Sequence, residues 1–266
     1  DQRPPEGCAR TPLRLTAASR SLYHHAMIPT LELVPGSVTV ARLPFDLPVY
    51  FTLRTAGDMG PSGAAVQGRR DAVLSDIGID PSHYVTVRQV HSQTVLAVGG
   101  EARPAEYTEA DGMLTDDPRL ALGVTVADCV PIFLAAPSSG VFGALHSGWR
   151  GTGIVSQALS LAREHYGVEP GEFSVLLGPS IGPCCYGVDE ERAALFADLW
   201  GSKAVSRRED GPYLDLRRAN VDLLAAHGVP EVSVVDECTS CNTDLGSFRR
   251  EGPERFTRMM AVITGE

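Results

Sequence analysis

An α+β domain with mixed sheets is the fold class that the sequence predicts. Three observations carry it. From residue 38 onward, short runs rich in β-branched and aromatic residues dominate. Segments with apolar residues at helical spacing are interspersed, bounded by capping acids or glycines. No internal repeat, low-complexity tract or linker follows residue 37. A chain of 266 residues is long enough to bury a substantial core.

The elements follow in order. Residues 1–26 hold Pro4, Pro5 and Pro12, few large apolar residues and no sustained periodicity. They read as a disordered stretch of a 1–37 extension, with the domain spanning 38–266 and Met27 as the expected natural start. Residues 38–43 and 49–53 have strand composition and flank Pro44 and Pro48. Over 64–79, Ala65, Val66, Ala72, Val73 and Ile77 recur at helical spacing, and Gly78 sits near the end. Strands are expected at 85–90, 95–98, 120–126, 131–135 and 141–145. Thr152 opens an amphipathic helix whose apolar face is Ile154, Val155, Ala158, Leu159, Ala162 and Tyr166, ended by Gly167. After a strand at 173–177, Asp189 caps a helix with Glu190 and Glu191 in its first turn, where the macrodipole favours acids. Asp215 caps another, stopped by Gly228. Strands at 232–235 and 259–263 close the chain.

The charge balance is 23 basic against 33 acidic residues, a net −10. So acidic a chain does not grip a polyanion over its whole surface, which disfavours general nucleic-acid binding while allowing a local basic pocket. No apolar run approaches the roughly 20 residues of a membrane span. Residues 1–26 carry Arg3, Arg10, Arg14 and Arg20 but no apolar segment. With six cysteines in a chain this large, thiols held in a reducing, cytoplasmic setting are expected rather than a disulfide framework.

Three segments place a soft or borderline ligand at a strand edge among glycines. They are Arg88-Gln89-Val90-His91-Ser92; Ala110-Asp111-Gly112 with Val126-Ala127-Asp128-Cys129-Val130-Pro131; and Ala144-Leu145-His146-Ser147-Gly148-Trp149-Arg150-Gly151-Thr152. Two imidazoles and a thiolate suit zinc with an open fourth position, and copper also accepts them. No short ligand-spacing motif joins the three. On spacing alone, hydrogen-bonded core histidines and a buried small cysteine explain them as well.

The segments resemble the signature blocks of the laccase-domain, or multicopper-polyphenol-oxidase-like, family. Further stretches agree in order. Residues 177–188, Leu-Gly-Pro-Ser-Ile-Gly-Pro-Cys-Cys-Tyr-Gly-Val, are similar to a Gly-Pro…Cys-Cys-Tyr-Glu-Val block. Leu214-Asp215-Leu216 with Asn220, and Cys238-Thr239 followed by Ser247-Phe248-Arg249-Arg250-Glu251-Gly252, are similar to two more. The resemblance runs from about residue 49 to 264.

It implies an α/β/β/α layered domain with mixed sheets and a metal held by His91, Cys129 and His146. It also implies phosphorolysis of adenosine, inosine and methylthioadenosine, with adenosine deaminase activity; some bacterial members are described as peptidoglycan-editing factors. The expected partners are a purine nucleoside and phosphate, and the expected cofactor is zinc, with copper as the other candidate. Catalytic candidates are His91, Cys129, His146 and Asp128. Asp128 could orient a ligand histidine, act as a base or cap a turn. Candidate substrate contacts are Arg54, Gln89, Arg150, Ser247 and Arg249, the arginines because their forks match phosphate oxygens. Trp149 either walls the pocket or fills core.

Two other readings stay open. A phenol oxidase with blue or trinuclear copper needs many histidines, and of the seven here His24, His25, His83, His165 and His227 lie outside the segments. An amidase acting on peptidoglycan precursors would use Cys129 as nucleophile and a histidine as base. The family's Asn-Leu-Gly stretch before the first long helix is shortened here, between Gly60 and Gly68, which bears on part of the pocket. Cys238 and Cys241 form a single CxxC, open to reading as a redox pair, half a zinc site or loop cysteines. Cys184-Cys185 reads as tight packing beside the site.

Overall fold

The computed structural model describes residues 26–27, 32–34, 40–43, 45–60, 63–99 and 108–265. The predicted disordered stretch falls outside these residues except for Ala26. In chain order, the first strands are β1 (Ala26–Met27), β2 (Glu32–Leu33), β3 (Val40–Leu43), β4 (Val49–Thr52) and β5 (Tyr84–Val85). Next come β6 (Val95–Ala97), β7 (Gly112–Thr115), β8 (Ala121–Val126), β9 (Val130–Ala136) and β10 (Val141–Ser147). The last are β11 (Ser174–Leu177), β12 (Val205–Arg208), β13 (Gly211–Leu214), β14 (Glu231–Val234) and β15 (Met259–Thr264). The α-helices are α1 (Ala64–Asp76), α2 (Ile154–Leu161), α3 (Glu190–Trp200), α4 (Leu216–Ala226) and the single turn α5 (Phe248–Glu251).

Two mixed sheets form the body. One has seven strands in the order β1-β14-β11-β9-β10-β7-β6, the other six in the order β2-β3-β4-β15-β8-β5; β12 and β13 make a separate hairpin. The period-2 alternation of the strands sorts their side chains into three apolar layers. On β9, Val130, Ile132, Leu134 and Ala136 face α2 and α4, whereas Phe133 turns to the other side. On β15, Met259, Ala261 and Ile263 meet that same inner layer, and Met260 and Val262 pack against Val73 and Leu74 of α1. The order is therefore helix, sheet, sheet, helix, an α+β fold of layered mixed sheets. Fully burying one Phe, such as Phe133 or Phe142, contributes about 1.5–3 kcal/mol. No helix among the described residues is long and apolar enough to cross a membrane.

Two local expectations are corrected, and one element was missed. The strand predicted over 85–90 ends at Val85, apart from an isolated bridge between Arg88 and Glu109. In its place the Gln89 side chain imitates a strand: its Oε1 accepts the Thr125 N–H at 2.7 Å and its Nε2 donates to the Thr125 carbonyl at 2.8 Å. The helix expected from Thr152 starts at Ile154, because Gly153 adopts φ 102°, a left-handed conformation. It is α-helical to Leu161 and closes through a wider turn to Gly167. The β12–β13 hairpin was not anticipated, since Arg207, Arg208 and Pro212 mask its strand composition; Glu209-Asp210 is its two-residue turn, and Gly211 opens β13.

Candidate metal centre and active-site pocket

The buried carboxylate of Asp111, just before β7, organises the first segment. Its Oδ2 accepts the N–H of Val90 (3.1 Å) and of Ser92 (2.6 Å) and the Ser92 hydroxyl (2.8 Å); its Oδ1 accepts the His91 N–H at 3.0 Å. Four donors on one side chain hold the 90–92 turn, in which His91 takes φ 60°. A non-glycine residue there stores on the order of 1–3 kcal/mol, which this bonding offsets. Asp111 Oδ1 also meets His146 Nδ1 at 2.8 Å. His146 is nearly fully buried near the end of β10, on the same strand face as Phe142 and Ala144. With Nδ1 engaged, its Nε2 is left for a ligand.

Cys129 sits in the turn between β8 and β9. Its Sγ and one ring nitrogen each of His91 and His146 lie within 4.8 Å of one another. The imidazole rings meet edge to face, centroids 4.9 Å apart. Burial pushes the Cys129 thiol up, but both histidines, His146 foremost, bring it down to about 7. Burial works against the charged form of His146, yet the Cys129 thiolate and Asp111 raise it to about 9. For Asp111, burial raises the carboxyl, and donors from His146 and Ser92 outweigh it, leaving it below the ordinary carboxylate value. A nitrogen–sulfur–nitrogen set, a lowered thiol and a carboxylate behind one histidine suit a zinc-class or copper ion with a further position open. His91 is exposed, Cys129 half-buried and His146 buried, so the donors open toward solvent on one side.

In the metal-free protein, the thiolate form of Cys129 therefore prevails from about pH 7 upward. Its alkylation rate, followed on the Cys129 peptide by mass spectrometry, is expected to rise with a midpoint near 7, and His146→Ala should move that midpoint up. A midpoint at the ordinary thiol value in the unmutated chain would contradict the pairing.

Gly148 forms the floor beneath these donors. A Cβ there would lie 2.9 Å from Cys129 Sγ and 3.1 Å from His91 Cδ2. Gly148→Ala should therefore weaken metal affinity at least tenfold with little change in melting temperature, measured by competition with a chelator. Unchanged affinity would show that the donors move aside freely.

Asp128, at φ 87°, engages neither histidine in a hydrogen bond among the described residues. Its carboxylate accepts Thr239 Oγ1 (2.6 Å) and the Arg249 N–H (2.6 Å), and its carbonyl accepts the Ile181 N–H at 2.9 Å. Burial raises its carboxyl above the ordinary value. It ties the Cys129 turn to three other segments, and the part of orienting a histidine falls to Asp111, to which sequence reasoning gave no role.

A cavity of about 1270 Å³ opens over His91, Cys129 and His146. It is lined by Gln89, Arg150 and Arg249 of the predicted contacts, by Trp149, which the sequence left between pocket wall and core, and also by Arg70, Arg192, Tyr186 and Phe256. Gly63, Ala64, Val66 and Gln67 line it too. Arg54 and Ser247 do not: Arg54 Nε donates to the Thr243 carbonyl (2.8 Å), and the buried Ser247 caps α5 by accepting the Arg250 N–H (3.2 Å). Arg249 Nη1 donates to the carbonyls of Cys185 (3.2 Å) and Gly187 (2.9 Å). Arg150 and Arg192 flank the Trp149 ring at 5.0 and 4.8 Å. Arg192 also has Asp189 at 3.7 Å, whereas Arg150 makes no hydrogen bond or ion pair among the described residues.

Layered mixed sheets around a two-histidine, one-cysteine centre define a laccase-domain type of protein. Residues 45–266 match the family model described as multi-copper polyphenol oxidoreductase laccase, and the chain belongs to that family. It is similar to purine nucleoside phosphorylase YlmD of Geobacillus stearothermophilus, 35% identical over 231 residues that span 80% of this chain and 84% of that protein. It is also similar to purine nucleoside phosphorylase ORF3 of Streptomyces griseus, 34% identical over 76% of this chain and 83% of that one. The crystal structures of Geobacillus stearothermophilus YlmD and Bacillus licheniformis YfiH superpose with a TM-score of 0.79 each. Their identities are 28% and 26%, and each comparison covers 88% of this chain and 98% of the other.

Proposed function

We propose that the chain is a metal-dependent purine nucleoside phosphorylase that also deaminates adenosine. Support comes from relatives named purine nucleoside phosphorylase and from one observation on the site. A nitrogen–sulfur–nitrogen donor set shares its cavity with aromatic walls and with Arg150, which lies over Trp149 and makes no hydrogen bond or ion pair among the described residues. The substrates are adenosine, inosine and methylthioadenosine, and zinc is the expected ion, with copper accepted by the same donors. When bound, the ion supplies Lewis acidity and lowers the pKa of a coordinated water to about 7.

The chain's own residues do the rest. Trp149, Tyr186 and Phe256 line the cavity and give a flat base aromatic surface to pack against. Arg150 provides the fork that takes phosphate bidentately, with Arg192 across the indole adding positive charge. Phosphate attacks C1′, the bond from C1′ to the base nitrogen breaks, and the base leaves after taking a proton. In deamination, water adds at C6 and ammonia leaves. Asp111 keeps His146 oriented throughout.

The test is product analysis. Adenosine with phosphate should yield adenine and ribose 1-phosphate, and without phosphate inosine and ammonia. Inosine with phosphate should yield hypoxanthine. Arg150→Ala is expected to raise the KM for phosphate at least tenfold while leaving phosphate-independent deamination within about twofold. Equal losses in both reactions would remove Arg150 from phosphate binding.

A second reading, a thiol amidase acting on peptidoglycan precursors, is favoured by one observation. Cys129, His146 and Asp111 stand in the order nucleophile, base and orienting acid. It predicts amide hydrolysis of a muropeptide precursor in the presence of a chelator, and no release of base from nucleosides.

A further inference from the structure

The two cysteine pairs that the sequence left separate meet in space. Sγ of Cys184 and Sγ of Cys185 lie 3.6 and 3.4 Å from Sγ of Cys241. All four sulfurs, with Cys238, lie within 4.8 Å of one another. They come from two tight turns. In one, the N–H groups of Cys185 and Tyr186 donate to the Gly182 carbonyl (3.0 and 3.1 Å). In the other, those of Cys241 and Asn242 donate to the Cys238 carbonyl (3.1 and 2.9 Å). The turns are stitched together by a bridge between Ser180 and Cys238, in which the Thr239 N–H donates to the Ser180 carbonyl at 3.1 Å.

The surroundings fit a thiolate site. The Gly182 N–H donates to Cys238 Sγ at 3.2 Å, a backbone bond of the kind that supports metal-bound sulfur. A Cβ on Gly182 would lie 3.1 Å from Cys184 Sγ and 3.3 Å from Cys238 Cβ, so the position has little room for a side chain. Four sulfurs about 2.3 Å from a tetrahedral zinc are about 3.8 Å apart, close to the spacing already present. Packing alone gives no reason for four sulfurs on two turns to converge on one point. Cys184, Cys185 and Cys238 are in no disulfide, and Cys241 is disulfide-bonded.

We propose that Cys184, Cys185 and Cys238, joined by Cys241 once its disulfide is reduced, hold a second zinc ion with a structural role. A phosphine reductant and one water break the S–S bond, giving a thiol on each sulfur and a phosphine oxide. Binding zinc then releases the thiol protons. The site is closed, four sulfurs around one ion, so it has no position for substrate. It braces the active-site pocket from behind: Thr239, next to Cys238, donates to Asp128, and the Cys185 carbonyl accepts Arg249 Nη1.

The test uses the full chain kept in a phosphine reductant, loaded with zinc and freed of excess, with metal measured per chain. Two ions are expected in the wild type, one in Cys129→Ala, and none in Cys129→Ala with Cys238→Ser. On the wild type alone, native alkylation read by mass spectrometry should show Cys184, Cys185, Cys238 and Cys241 protected by zinc and exposed by a chelator. That measurement decides the matter if Cys238→Ser does not fold. An unaltered count on Cys238→Ser, no ion in Cys129→Ala, or alkylation indifferent to zinc would each overturn the proposal. Neither readout depends on nucleoside turnover, so failure of the purine assignment leaves the result interpretable.

Discussion

Cys129→Ala is expected to abolish both base release and inosine formation from adenosine, and to lower the metal content by one ion per chain, with the fold retained. Cys129 supplies the only thiolate among the three donors. Its loss removes negative charge and one bond from the ion and leaves His146, whose charged form it stabilises, without that partner. A two-histidine remnant holds zinc far more weakly. If Cys129 were only packing, removing one sulfur would cost about 1 kcal/mol and leave activity near normal. The two outcomes differ in kind rather than degree. Steady-state release of adenine and inosine, with metal measured on the same preparation, separates them. Retained metal with at least half of the wild-type turnover would refute the ligand role. Lost turnover with metal retained would instead favour Cys129 as a nucleophile, and hence the amidase.

Sequence reasoning reached the layered fold and the cluster of His91, Cys129 and His146 by different routes. Strands such as β9, β10 and β15 were legible because each is an apolar run between turn residues. The donors His91, Cys129 and His146 were not legible from spacing, because the sheet register, not the sequence distance, brings them together. Family resemblance picked them out, and their convergence in the structure is independent of it. Asp111 escaped because its importance lies in where its two oxygens end up, against three backbone N–H groups and an imidazole. Nothing in Ala-Asp-Gly announces that. The cysteine cluster escaped for a similar reason. A CxxC and a Cys-Cys pair are each half of a site, and only the bridge between Ser180 and Cys238 makes them a whole. Gln89 lines the cavity as the sequence suggested, but its amide is engaged by Thr125, a pairing that no sequence pattern announces.

Asp111→Asn is expected to weaken metal affinity by about 10–100-fold, as for other groups that orient a metal-bound histidine, and to lower both activities with it. The amide is nearly isosteric, so the effect is chemical. One oxygen becomes an NH₂ group, which cannot accept hydrogen bonds. Either the backbone donors of the 90–92 turn or His146 Nδ1 then face a donor instead of an acceptor. Each buried N–H left without an acceptor costs about 1–3 kcal/mol, so the melting temperature should also fall. The pH dependence gives a separate check. The Asp111 carboxyl is held below its ordinary value of 3.8, so its contribution is complete above that value and is lost as pH falls through the lower, folded-state value. In metal-free protein, the wild type should therefore lose stability more steeply than Asp111→Asn as pH drops below about 4. Parallel acid limbs in the two proteins, together with unchanged zinc affinity, would show that the carboxylate's charge is not what holds His91 and His146 in place.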